Sequence, residues 1–178
     1  MSGYSEVLYV MFAMIIVSTM ALNANRVIQV NNVSMVEGQL ESQVVAYAQN
    51  IIEEARAHAF DEKTRYDTGG NSIVPVNIPD GFSDIGTDGE TGRNSFNDFD
   101  DFDNHTETLT LGGVDYELSV NVEYVTTLDY ATYSTAVGKS TLKRITVNIK
   151  SGFLKKNNSA DTEPTNYNFS FIRSYYAD

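Results

Sequence analysis

Val7 to Leu22 reads VLYVMFAMIIVSTMAL, a run of about 16 residues with no charge, glycine or proline. Around it, Tyr4 to Phe60 reads as one uninterrupted helix with two different surroundings along its length. From Asn25 onward the pattern turns amphipathic. Val33, Val36, Leu40, Val44, Tyr47, Ile51 and Ala55 recur in steps of three and four, which lines them along one face. Asn31, Glu37, Glu41, Gln43, Asn50 and Glu54 fall on the others. At ~1.5 Å per residue such a helix spans on the order of 85 Å. A small monomeric globule has no use for a rod of that length, so something outside the chain must bury the apolar end.

The charge before the run is a single Glu6, and a secretory signal needs a basic start. Cleavage after Ala21 is conceivable, but the helical pattern passes that point unbroken, so the segment is expected to be retained as an anchor. Ser18 and Thr19 are compatible with a membrane helix because their hydroxyls bond back to the preceding turn. Glu6 sits where a carboxylate in lipid is costly without a partner. Arg26 closes the segment, and its stem can snorkel. Gly38, the one glycine between Tyr4 and Phe60, weakens the helix locally by about 1 kcal/mol relative to Ala.

Beyond Phe60 the helical signal fades. Asn71 to Asn97 is loop-like, punctuated by Pro75, Pro79, Gly81, Gly86, Gly89 and Gly92. Strands are expected at Glu107–Leu111 and Val114–Val125, joined by the hairpin signal Gly112-Gly113. Val114, Tyr116, Leu118, Val120, Val122 and Tyr124 alternate with polar residues, as one buried face requires. Leu128–Val137 reads as a loop. Lys139–Lys150, with Ile145, Val147 and Ile149 inward, and Thr165–Tyr176, with Tyr167, Phe169 and Phe171 on one face, complete about four antiparallel strands. The expected class is α+β, the amphipathic half of the helix supplying the second layer over the sheet. Four regions follow: 1–24, an apolar membrane or filament-core helix; 25–60, an amphipathic helix on the sheet; 61–105, an acidic Gly/Pro/Asp-rich loop region; and 106–178, the β domain.

Twelve Lys and Arg face 24 Asp and Glu, for a formal net charge of −12. That balance speaks against nucleic acid as a partner. Cysteine is absent, so disulfides and thiol chemistry are excluded. His58 and His105 are the two histidines, and neither stands in a metal-ligand spacing. With no nucleophile elbow, phosphate loop or zinc motif, no enzymatic activity is expected.

Two acidic groups invite calcium, a hard cation that takes six to eight oxygens. One is Asp80, Asp84, Asp88 and Glu90. The other, better placed, comprises Asp98, Asp100, Asp101, Asp103 and Glu107, with Asn104 among them. Neither has EF-hand spacing, and the bland reading is carboxylates in water or bonded to their own turn backbone. No other cofactor is expected. Four N-glycosylation sequons occur, at Asn32, Asn104, Asn157 and Asn168. Asn32 falls on the helix and Asn168 in a strand, which leaves Asn157 and Asn104 as the candidates.

The layout resembles the type IV pilin-like superfamily of pilins, minor pilins and type II secretion pseudopilins. The matching features are the apolar helix with Glu6 near its start, its amphipathic continuation through Glu53-Glu54-Ala55-Arg56-Ala57-His58-Ala59-Phe60, and the C-terminal antiparallel sheet. Asp98-Phe99-Asp100-Asp101-Phe102 followed by Leu142-Lys143-Arg144-Ile145-Thr146-Val147 is similar to stretches in minor-pilin-like relatives. Family precursors carry a short basic leader ending in Gly, cut so that Glu stands fifth. No such leader is visible here: Glu6 is sixth counted from Met1, fifth if Met1 is removed ahead of Ser2, and third if the chain is cut after Gly3. The C-terminal disulfide common in pilins has no counterpart. The resemblance implies a structural subunit of an extracellular helical filament, held in the cytoplasmic membrane before pilus assembly machinery adds it to the fibre. The subunit interface would run along Glu6, Val7, Leu8, Val10, Met11, Phe12, Met14, Ile15, Ile16, Met20 and Leu22. A minor pilin or pseudopilin, and a single-pass anchored ectodomain that never polymerises, are the alternatives.

Overall fold

The computed structural model describes residues 3–65, 70–71, 73–151 and 165–177. One helix, α1, runs from Gly3 to Ala57. Among the described residues five strands follow: β1 (Thr106–Leu111), β2 (Val114–Thr126), β3 (Ser134–Thr135), β4 (Leu142–Ser151) and β5 (Thr165–Ser174). The chain divides into two compact units, Met1–Ser42 and Gln43–Asp178.

The described residues of the first unit are helix alone. Its large apolar residues from Val7 to Leu22 are all more than half exposed, and so are Val27, Ile28, Val30 and Val33. Gly38 makes no close approach, since a Cβ added there would meet nothing within 4 Å.

The second unit is the α+β domain that the alternation predicts. Its sheet is antiparallel in the order β1-β2-β4-β5, with β3 paired to the end of β2. Gly112 and Gly113 have φ of 58° and 80°, both left-handed. A two-residue hairpin needs positive φ at both positions to match the strand twist, and glycine supplies it without steric cost. The buried face alternates down β2 and β4 as Tyr116, Leu118, Val120, Val122 and Ile145, Val147, Ile149. Against that face lies the C-terminal part of α1, through Val44, Ala48, Ile51, Ile52 and Ala55, with Phe96, Phe99 and Phe102 beside them. Tyr167, Phe169 and Phe171 of β5 pack partly buried against the same core. A second, smaller cluster joins Phe60, Phe82 and Tyr124 to Tyr175.

Some boundaries differ from the sequence reading. The stripe is buried only from Leu40 onward, while Val33 and Val36 are 56% and 44% exposed. Ala48 and Ile52 widen it, because a helix laid on a sheet buries more than one row. The segment 128–137 holds the short strand β3. β4 begins at Leu142, three residues later than expected, and β5 gives way at Tyr175 to a 3-10 turn.

The helix stops at Ala57, short of Phe60, and the cause is visible. Ala59 turns extended and bridges Asp98: Phe99 N donates to Ala59 O at 2.9 Å and Ala59 N to Asn97 O at 3.4 Å. The last turn of any α-helix leaves carbonyls without partners. Here Arg173 of β5 donates to the carbonyls of Ala55, His58 and Ala59, at 3.4, 2.8 and 3.3 Å. A cation at that end also complements the helix dipole.

Candidate functional site

The strand period of two places more than apolar residues on the inner face of the sheet. Lys143 shares the parity of Ile145, Val147 and Ile149, and Arg173 that of Tyr167, Phe169 and Phe171. Tyr124, Lys143 and Arg173 therefore stand in one cross-strand row, since Tyr124 is registered with Lys143 and Lys143 with Arg173. Lys143 is fully buried. Its ammonium donates to Phe60 O at 3.0 Å, Asp61 Oδ2 at 2.8 Å and Asp100 Oδ1 at 2.5 Å, which uses all three of its protons.

Asp61 is the hub on the other side. Beyond Lys143 it accepts from the Ser83 amide at 2.9 Å, the Lys63 amide at 3.0 Å and the Tyr124 hydroxyl at 3.2 Å. Burial alone would raise its pKa, but the Lys143 charge and these donors outweigh it and hold the carboxyl below its ordinary value.

Asp98-Phe99-Asp100-Asp101-Phe102 folds into a tight turn that bonds itself. Asp98 Oδ1 accepts from the amides of Asp100 and Asp101 at 3.0 and 3.1 Å. Asp101 Oδ2 accepts in return from the amides of Asn97 and Asp98 at 2.7 and 3.1 Å. The two intervening phenylalanines point into the core. All three aspartates are essentially inaccessible, so this is no water-facing acidic surface. Burial first, then the charges of Asp100 and Asp101, push Asp98 up to about 8. Burial raises Asp100 to about 6 against the pull of Lys143.

The five acidic residues read as one calcium group thus face different partners. Asp98, Asp100 and Asp101 share the turn. Asp103 Oδ1 caps the Val122 amide at 2.7 Å, continuing the line of β1 along β2. Glu107 accepts from Arg93 at 3.2 Å, from the Tyr47 hydroxyl and from His105 at 3.3 Å. Burial would raise the Glu107 pKa, yet these donors hold it below the ordinary value. Arg93 reaches on to Glu54 at 2.5 Å, tying α1 to the loop and to β1. His58 packs its ring on Phe102 at 6.0 Å. Asn104 is exposed, whereas Asn157 lies outside the described residues.

Sequence reasoning missed Asp61, Lys143, Tyr124 and Arg173 as a set. The parity of Lys143 and Arg173 was the available signal, since each interrupts an otherwise apolar inward row.

The pH dependence follows in sign. An aspartate raised in the folded state binds a proton that the unfolded chain gives up near pH 4. The stability contributed by Asp98 and Asp100 is complete below that value and is lost as pH rises through about 6 and about 8. Asp61 is lowered, so its contribution is lost only below the ordinary carboxylate range. In the presence of a chelator, the melting temperature is expected to fall by several degrees between pH 5 and pH 8.5. A flat or rising profile over that interval would contradict the assignment.

In the first unit, Glu6 to Leu22 is one continuous exposed helical surface. By length and composition α1 can cross a membrane. No protein-family model, no curated protein and no solved structure matches the chain. The architecture, a long N-terminal helix that is apolar at its start and an antiparallel sheet, is compatible with the pilin-like layout.

Proposed function

We propose that this protein is a structural subunit of an extracellular, type IV pilus-like filament assembled through its N-terminal helices. The observation that carries the reading is the apolar surface from Val7 to Leu22, exposed along its whole length on a helix whose far end belongs to a packed α+β domain. Water cannot be its resting environment. Burial of apolar surface favours association by about 25 cal/mol per Å². The same surface suits a bilayer before assembly and a bundle of identical helices after it. Contacts between copies whose rotation does not close generate an open helical polymer. The protein would be held in the cytoplasmic membrane, passed to a pilus assembly machinery and displayed at the cell surface, with no catalytic role and no nucleic-acid partner. A role in cell adhesion would follow from that display.

The test is electron microscopy of material sheared from cells that make the protein, with crosslinking between helices. The chain has no cysteine, so Ile15→Cys introduces a single reporter. Abundant fibres that label along their length, with Ile15→Cys crosslinks between copies, are expected. Labelling only at fibre tips would make the chain a minor pilin. Protein confined to the membrane without crosslinks would make it an anchored ectodomain.

A further inference from the structure

Asp98 keeps one carboxylate oxygen in reserve. Oδ1 serves two backbone amides, but Oδ2 is buried and has no hydrogen-bond partner among the described residues. A buried carboxyl oxygen without a donor is expensive and is met by a proton or by a cation. Two other segments deliver acids to the same place. Glu62 comes from the 3-10 turn after α1, and Asp88 from the loop between Gly86 and Gly89. One ligand oxygen from each of Glu62, Asp88 and Asp98 lies within 4.8 Å of the others. Oxygens bound to one calcium at 2.3–2.6 Å sit at most about 5 Å apart, so one ion can touch all three.

The neighbouring cations do not settle this charge. Lys143 is spent on Asp61, Asp100 and the Phe60 carbonyl. Arg65 holds Glu62 at 2.9 Å through both oxygens, which sets one guanidinium beside three carboxylates. Asp88 is exposed and Glu62 half-buried, so one side is open to water that can complete the coordination. We propose that Glu62, Asp88 and Asp98 form a binding site for a divalent cation, calcium by its all-oxygen donor set. The ion would bridge three segments of the second unit: the turn after α1, the 86–89 loop and the aspartate turn.

The test uses the full chain in detergent micelles, stripped of metal, titrated calorimetrically with CaCl2 and melted in EGTA or in 5 mM CaCl2. Saturable binding and a rise of at least 5 °C in calcium are expected. Asp88→Asn keeps the shape of an exposed side chain and should weaken binding at least tenfold without lowering the melt in EGTA. Asp98→Asn should abolish binding if it folds. Asp84→Asn, which removes a different exposed acid, should bind as the wild type does. Absence of saturable heat and of any melting shift would overturn the site, as would wild-type binding by Asp88→Asn. An equal shift from MgCl2 would overturn the assignment to calcium.

Discussion

Lys143→Met is expected to destabilise the second unit by about 3–5 kcal/mol, which for a domain of this size lowers the melting temperature on the order of 10 °C. Methionine keeps the unbranched stem among the same neighbours and removes only the charge and its three donors. The loss is large because of what stays behind. Asp61, Asp100 and the Phe60 carbonyl would remain buried without their common partner. The rings of Phe60 and Tyr124, 4.8 and 5.1 Å from the ammonium, would lose a cation held near them. Adding Asp100→Asn to Lys143→Met should cost clearly less than the two single losses together, because the groups act as one network. A single-variant loss under about 1 kcal/mol, measured by denaturant unfolding of the same chain, would show that the ammonium is dispensable.

Glu6→Ala is expected to abolish filament assembly, and Glu6→Gln to reduce it severely. In the proposed fibre the N-terminal helices lie together away from water, where a bare carboxylate costs several kcal/mol. The nearest basic residue along the helix is Arg26, roughly 20 residues on and ~30 Å away by helical rise. A pair with Arg26 is ruled out while α1 holds. A positive charge for Glu6 must then come from an adjacent copy, which can approach from the side. Such a contact would set the axial register between subunits. Glutamine keeps the shape and removes the charge, so it separates pairing from packing. Normal yields of sheared filaments from both variants would remove Glu6 from assembly altogether.

The fold was legible where period and turn chemistry agreed. The alternation of Val114 to Tyr124 placed β2 and its buried face, and Gly112-Gly113 placed the hairpin. The start of β4 was misread because Lys139 to Thr141 carries no apolar alternation to mark where pairing begins. The aspartate turn was legible as chemistry but not as environment. A run of five acids reads as solvated or metal-binding, and nothing local says that Phe99 and Phe102 will drag their acidic neighbours inside. Lys143 was inconspicuous for the opposite reason: one lysine in a strand is ordinarily outward, and only its parity with Ile145 argues otherwise. The set Glu62, Asp88 and Asp98 could not be read at all, because three loop segments come together only through the tertiary fold.

Arg173 has a consequence for synthesis. The chain emerges from the ribosome with α1 first and β5 last, and the residue that covers the His58 carbonyl is made 115 positions after it. Until then the helix end has open carbonyls, the sheet lacks the strand that carries Phe169 and Phe171, and the inner face stays wet. A nascent or prematurely terminated product therefore cannot seal the second unit, however complete its first helix is. The apolar segment is available to a bilayer long before the second unit can fold. Folding of the second unit thus waits on the synthesis of β5, which acts as the closing stave of the domain.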